Sequence, residues 1–329
     1  MTGTRLEISM RPYRDADLPE FVRIVNDANA ADGVDERTSQ AGLASWLLSA
    51  RANYHPAVDL AVATVDGQVA GYGWVDWVQT TDGKREYRTR GHGDPPWRRQ
   101  GVGSAILAHN EARLLEIAAE HPDDLPRVYG AFAPALRVGA VAMLLAAEYR
   151  PVRYFFDMLR PTLDEVEVPA LPEGMELRPV ADVEGYRRLF AADAEAFMDH
   201  WGGFDYSEAT FQQWLGEPTF DPSLFVIAWE GDEIAGAVIN SIDAEENEAL
   251  DRRRGLLEGV FVRRPWRRRG LAAALVGRSL ELLRERGMTS AWLGVDADNP
   301  TGALGVYERA GFEIHRRGSA YHKPMEVAR

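Results

Sequence analysis

Arginine and glycine stand together at the head of a helical pattern in Arg267-Arg268-Arg269-Gly270-Leu271-Ala272. Just upstream, Leu257-Glu258-Gly259-Val260-Phe261-Val262 reads as a buried strand, and Arg263-Arg264-Pro265-Trp266 as a tight turn. A helix N-terminus offers backbone amides with no intrahelical acceptor and a partial positive charge. Gly270 and Ala272 keep side chains out of the approach, so those amides can meet a phosphate closely. Flanking arginines add charge-assisted hydrogen bonds. The chemistry such a segment suits is pyrophosphate binding, set against a plain solvated basic surface. The chain has no Gly-x-x-x-x-Gly-Lys-Ser/Thr and no Gly-x-Gly-x-x-Gly, so this is neither a Walker A loop nor a dinucleotide fingerprint.

Downstream comes a second block, Asp298-Asn299-Pro300 followed by Val306-Tyr307-Glu308-Arg309-Ala310-Gly311-Phe312. With Arg-x-x-Gly-x-Ala before it, this block resembles the acetyl-CoA signature of the GCN5-related N-acetyltransferase (GNAT) family, and residues 175–325 follow that family's element order. The resemblance implies an N-acetyltransferase that uses acetyl-CoA as co-substrate, with no metal. Backbone groups of Val260, Phe261 and Val262 would pair with pantetheine like an added strand. Arg267, Arg268, Arg269, Gly270, Leu271 and Ala272 would cradle the pyrophosphate, and Asn299 would bond to the CoA arm. Asn299 has a second reading as the N-cap of the following helix. Tyr307 would protonate the leaving thiolate, against the plainer reading of a core aromatic. Glu258 would draw a proton from the amine, against that of a structural carboxylate. Strand alternation puts Glu258 on the face of Val260 and Val262, unless a β-bulge intervenes.

The cradle occurs twice. Arg98-Arg99-Gln100-Gly101-Val102-Gly103 repeats it, and Pro96-Trp97 matches Pro265-Trp266. Met10-Arg11-Pro12 likewise matches Leu177-Arg178-Pro179, and Gln68-Val69-Ala70-Gly71 matches Glu233-Ile234-Ala235-Gly236. Three matches in one order define an internal repeat. The first copy lacks an Asp-Asn-Pro block, puts Gly91-His92-Gly93-Asp94 before its cradle, and has Leu144 at the place of Tyr307. It reads as a non-catalytic copy whose cradle is a second CoA-site candidate. The predicted organisation is α/β: two tandem GNAT-like domains, each a mixed, mostly antiparallel sheet flanked by helices. The first spans residues 1–160, a proline-bracketed acidic linker spans 161–173, and the second, catalytic domain spans 174–329.

In the second half, strands are predicted from Met175, Ser223, Glu233, Leu256, Ala291 and Phe312, and helices over 181–200, 208–215, 270–286 and 301–310. The resemblance implies that residues 198–206, with acidic and aromatic side chains, border the acceptor pocket, against the plainer reading of a packed loop. Trp46, Trp74, Trp77, Trp214 and Trp229 are assigned to the cores or the interdomain seam.

Composition narrows the chemistry. The 329-residue chain has no cysteine, which excludes a cysteine nucleophile and suits direct attack by the amine. Its seven histidines show no metal-binding spacing. A net charge of −14 argues against nucleic acid as a partner. No apolar run suggests a membrane span or a signal segment, so the expected location is cytoplasmic. The resemblance implies an amine-bearing small molecule as the partner. The tandem layout is similar to that of family members that acetylate the cysteinyl amine of a sugar–inositol. A CoA-binding sensor or scaffold without turnover is the rival class. Oligomeric state is left open by the sequence.

Overall fold

A computed structural model describes residues 7–198, 200–299 and 302–326. The chain forms two compact units, each a mixed α/β layer structure. Neither unit is one contiguous stretch of chain. The first comprises residues 1–153, 202–213 and 318–329, and the second residues 154–201 and 214–317.

In chain order the first half contains β1 (Ile8–Pro12), α1 (Leu18–Asp32), α2 (Gln40–Leu47), α3 (Pro56–Asp59), β2 (Leu60–Val65), β3 (Gln68–Gln79), β4 (Arg85–Gly93), α4 (Val102–Ala119), β5 (Arg127–Pro134), α5 (Val138–Ala146) and β6 (Arg150–Arg160). The second half adds β7 (Met175–Leu177), α6 (Val183–Phe197), α7 (Glu208–Leu215), β8 (Val226–Glu230), β9 (Glu233–Ser241), α8 (Ala244–Ala249), β10 (Arg254–Val262), α9 (Leu271–Glu285), β11 (Ser290–Asp296), α10 (Ala303–Arg309) and β12 (Glu313–Pro324). The short helix α8, capped by Asp243, is absent from the sequence reading. The expected strand from Ser223 begins later, because Pro222–Leu224 closes into a 3-10 turn capped by Asp221.

The two sheets share one plan. In the first unit β1, β2, β3 and β4 run antiparallel, β5 is parallel to β4, and residues 318–324 of β12 lie antiparallel to β5. In the second, β7, β8, β9 and β10 run antiparallel, β11 is parallel to β10, and residues 155–160 of β6 lie antiparallel to β11. Each sheet is thus completed by the strand that local sequence would give to the other half. Turn chemistry explains the hairpins. Asp66 and Gly67 both adopt positive φ, as a two-residue type I′ connection from β2 to β3 requires.

Each sheet is covered on both faces. In the second unit, α9 packs Leu271, Leu275 and Leu280 on one face with Leu257 and Leu293. On the other, α6 packs Leu189 and Ala192 against Ala237, Ile239 and Phe261. In the first unit, α1 and α2 cover Tyr72 and Trp74. Trp74 and Trp229 are core residues, while Trp46, Trp77 and Trp214 are half-buried against the clusters. No helix among the described residues is long and apolar enough to cross a membrane.

Candidate active site

The site begins where β10 and β11 part. Their parallel pairing runs from Arg254 and Ser290 to Leu257 and Leu293 and then stops. On its other edge β10 stays paired with β9 as far as Val262. Residues 258–262 therefore carry one backbone edge that β11 leaves unpaired, on which the Arg267 side chain takes Val262 O.

Glu258 is the extra residue of a β-bulge. Leu257 faces Asn240 and Gly259 faces Ile239, so no β9 residue opposes Glu258. The bulge breaks the alternation: Leu257, Val260 and Val262 pack toward α9, whereas Phe261 joins the core under α6. The sequence expectation that alternation alone sets Glu258 beside Val260 and Val262 is replaced by this local geometry. The Glu258 carboxylate accepts a hydrogen bond from the Ser241 hydroxyl. Solvent reaches the residue, yet surrounding protein desolvates the carboxyl and raises its pKa, with the Ser241 bond opposing.

A second carboxylate, Glu217, was missed by the sequence reading. It lies on the turn after α7, where its N–H donates to Trp214 O and its C=O accepts from Phe220 N. Burial, together with the charge of Glu258, pushes it up to about 7. Asp193 of α6 also faces the bulge: its Oδ1 lies 3.8 Å from where a Cβ on Gly259 would stand. No local pattern could have paired Glu217 with Glu258, because their proximity is a tertiary fact.

The cradle follows. Arg267 is extended, Arg268 has φ 60°, and Gly270 caps α9 with φ 86°. A Cβ on Gly270 would meet no protein atom within 4 Å, so the space before the helix is open. Arg267 turns inward, donating from Nε to Val262 O at 3.0 Å and from Nη2 to Ala196 O at 3.2 Å. Arg269 donates to Glu230 Oε1 at 3.1 Å, and Arg268 is exposed. Leu271 is buried in the core and Ala272 is half-buried, both in the first turn of α9. An open strand edge leading to uncovered helix amides fits the extended arm and pyrophosphate of CoA.

Tyr307 sits on α10, 6% exposed, with its ring 6.1 Å from Phe312. Burial raises its pKa, so it stays protonated at neutral pH. Among the described residues nothing accepts a hydrogen bond from its hydroxyl. Asn299 lies after β11, its N–H donating to Asp296 O. It does not cap α10: the capping residue is Gly302 with φ 73°, and the N-cap alternative for Asn299 is corrected accordingly. Of the 198–206 stretch, Asp199 lies outside the described residues, as do Pro300 and Thr301.

The first unit reproduces the cradle's backbone closely. Arg98 is extended, Arg99 has φ 64°, and Gly101 caps α4 with φ 94°. Val102 is buried in the first turn, the Gln100 side chain bonds to Pro96 O, and Gly103 lies close to Met143. Arg98 forms a bidentate ion pair with Asp32 at 2.8 and 2.9 Å. The chemical groups are missing, however. Strand β4 pairs with β3 without a bulge, and Thr89, directly opposite Val75, holds a hydrogen bond from Asn110 where the other unit bulges. Leu144 O accepts from Tyr149 N just as Tyr307 O accepts from Phe312 N, both at 3.0 Å, so Leu144 stands at the tyrosine's place.

Gly270→Ala offers a clean test of the second cradle. The protein has room for the methyl group, but it enters the anion's approach and strains a positive φ by about 1–2 kcal/mol. The KM for acetyl-CoA rises about 10-fold, as loss of ~1.4 kcal/mol of binding predicts, in steady-state kinetics. Gly101→Ala leaves that KM within a factor of about two.

Residues 186–312 match the Acetyltransferase (GNAT) family. The chain belongs to this family and is an N-acetyltransferase, a class that uses acetyl-CoA as co-substrate. It is 30% identical over 302 residues to the mycothiol acetyltransferase of Salinispora tropica, covering 90% of this chain and 89% of that relative. The Salinispora arenicola protein of the same name is also 30% identical, over 92% and 90%. Among solved structures, a GCN5-related N-acetyltransferase from Sphaerobacter thermophilus superposes with TM-score 0.70 at 26% identity, covering 96% of this chain and 95% of that one. A tandem GNAT protein from the clavulanic acid biosynthesis pathway shares the fold, with TM-score 0.70 at 20% identity over 97% and 98%.

Proposed function

We propose that the second unit transfers the acetyl group of acetyl-CoA to the primary amine of a small molecule, the amine attacking the thioester directly. The observation that carries this reading is the placement of the Glu258 bulge where β10 and β11 separate, at the head of the open edge that leads to the Gly270 cradle. Residues 260–262 hold the pantetheine arm, Arg267 to Ala272 the pyrophosphate, and Asn299 the arm near the thioester. Glu258 takes the proton from the amine nitrogen as the N–C bond forms. Tyr307 gives its proton to sulfur as the C–S bond breaks. The absence of cysteine is consistent with a route that needs no acyl-enzyme. Thr89 and Leu144 leave the first unit with neither base nor acid, so its Arg98–Gly103 loop serves at most to bind CoA. A non-catalytic sensor has no use for a desolvated carboxylate and a buried phenol at one thioester.

The similarity to mycothiol acetyltransferases over about nine-tenths of the chain favours a cysteinyl amine on a sugar–inositol as acceptor. Acetyl transfer to that amine, compared with polyamine and aminoglycoside acceptors, tests the choice. A kcat/KM for the cysteinyl substrate no higher than for the others would reject it.

Burial raises the pKa of Glu258, with the Ser241 hydrogen bond opposing. Base function requires the ionised form, so kcat/KM climbs with pH as Glu258 ionises, above the ordinary carboxylate range. The charge of Glu258 helps hold Glu217 protonated up to about 7, so Glu258 ionises first, and Glu217→Gln, which keeps the neutral form, leaves the acid limb of the pH–rate profile in place. A limb that moves in Glu217→Gln would contradict that order.

A further inference from the structure

The first unit carries a polar layer that acetyl transfer does not use. On the face of β3 and β4 beneath α1 and α2, Tyr72 stands directly opposite His92. Ring centroids are 5.4 Å apart for Tyr72 and His92, 5.9 Å for Tyr72 and Trp74, and 6.0 Å for Trp74 and His92. Phe21 stacks on Tyr72 at 4.2 Å, and Trp46 meets Trp74 edge-on at 5.0 Å. Arg137, at the start of α5, reaches the same layer. Its Nη1 lies 3.5 Å from His92 Nδ1, and its Nη2 donates to Asn29 Oδ1 at 2.6 Å.

The repeat shows that the fold does not need this polarity. In the second unit the opposed pair is Ala237 and Phe261, with Ile239 beside them, so apolar side chains stand where Tyr72, His92 and Trp74 do. In the first unit Tyr72 is 0% and Trp74 3% exposed, yet the Tyr72 hydroxyl and the Trp74 Nε1 have no hydrogen-bond partner. The Arg137 Nε is likewise buried and unpartnered. A buried polar group left without a partner is costly, so three in one layer point to an absent acceptor.

The layer's chemistry defines that acceptor. The indole N–H and the guanidinium Nε–H only donate, and the phenol can donate. Arg137 adds a positive charge, and among the described residues no carboxylate pairs with it. Asp32, whose charge acts on Arg137, is engaged by Arg98. His92 is neutral, because burial and then the Arg137 charge hold its pKa down to about 3. Stacked rings on either side favour a short molecule over a bulky one.

We propose that Tyr72, Trp74, His92 and Arg137 form a binding site in the first unit for a small carboxylic acid, held as its carboxylate by Arg137 and the two neutral donors. The site is independent of the transfer chemistry in the second unit and stands or falls separately from it.

The test is calorimetric titration of the full chain with acetate, propionate and pyruvate, with acetamide and propionamide as uncharged matches. At least one acid binds saturably with one-to-one stoichiometry, and the amides do not. Tyr72→Phe, which keeps the stacked ring, and Arg137→Met each weaken that binding about 10-fold. Tyr72→Phe also melts no lower than the parent without acid, and its melting temperature no longer responds to acid. Three results overturn the proposal: no acid of the panel binds, the two variants bind as the parent does, or saturating acetyl-CoA displaces the acid.

Discussion

Tyr307→Phe lowers kcat/KM by about 10²- to 10³-fold, the range expected when a positioned proton donor is removed, and leaves acetyl-CoA affinity unchanged. The argument rests on the hydroxyl alone. Tyr307 is buried, its ring packs near Phe312, and nothing among the described residues accepts from its oxygen. Phenylalanine keeps the ring and its packing, so melting temperature barely moves. Burial raises the phenol's pKa, so the acid remains protonated throughout the usable pH range. Activity and acetyl-CoA affinity measured on the same preparation separate the roles. A loss below about 5-fold would return Tyr307 to the status of a core aromatic and move the leaving-group acid elsewhere.

Cutting the chain at the proline-rich seam has the other large effect: residues 1–160 and 174–329, produced separately, each fail to give a cooperative fold. The second fragment lacks residues 155–160, which pair with β11, and with them Met158, 0% exposed in its core, and Leu163 at 1%. The first fragment lacks residues 318–324, which pair with β5, together with Tyr321 and Met325 of its core. Two large buried side chains contribute about 1.5–3 kcal/mol each, and a whole ladder goes with them. Typical stability is only about 5–15 kcal/mol. The bare edges of β5 and β11 also invite aggregation. Co-expression of residues 1–173 with residues 174–329 restores both sheets, Leu163 and activity. Thermal melts and size-exclusion chromatography check this, and a sharp melt from either fragment alone would contradict it.

Much of this architecture was legible because the signals are local. The Arg-x-x-Gly-x-Ala and Arg-x-x-Gly-x-Gly segments dictate a left-handed glycine before a helix, and Gly270 and Gly101 both adopt it. Periodicity located α9 to within a residue at each end. What escaped the sequence is non-local. Residues from Phe312 onward read as a strand, but nothing in them says which sheet they complete, and the strand over 150–160 was not read at all. The Glu258 bulge depends on how β10 registers against β9, so plain alternation could not assign its side chain. The coupling of Glu217 to Glu258 requires the turn after α7 to pack beside that bulge. Asn299 looked like a cap because asparagine favours that position, but Gly302, with φ 73°, takes it.

The central claim is one-step acetyl transfer from acetyl-CoA to an amine at the second unit's site. Its most direct measurement is a single-turnover reaction with acetyl-CoA labelled in the acetyl group and the cysteinyl-sugar amine, followed by mass spectrometry of product and protein. The account predicts labelled amide and free CoA in one-to-one ratio, no label on the protein at any time, and loss of both products in Tyr307→Phe but not in Leu144→Ala. Label transiently bound to the protein, or undiminished turnover in Tyr307→Phe, would contradict it.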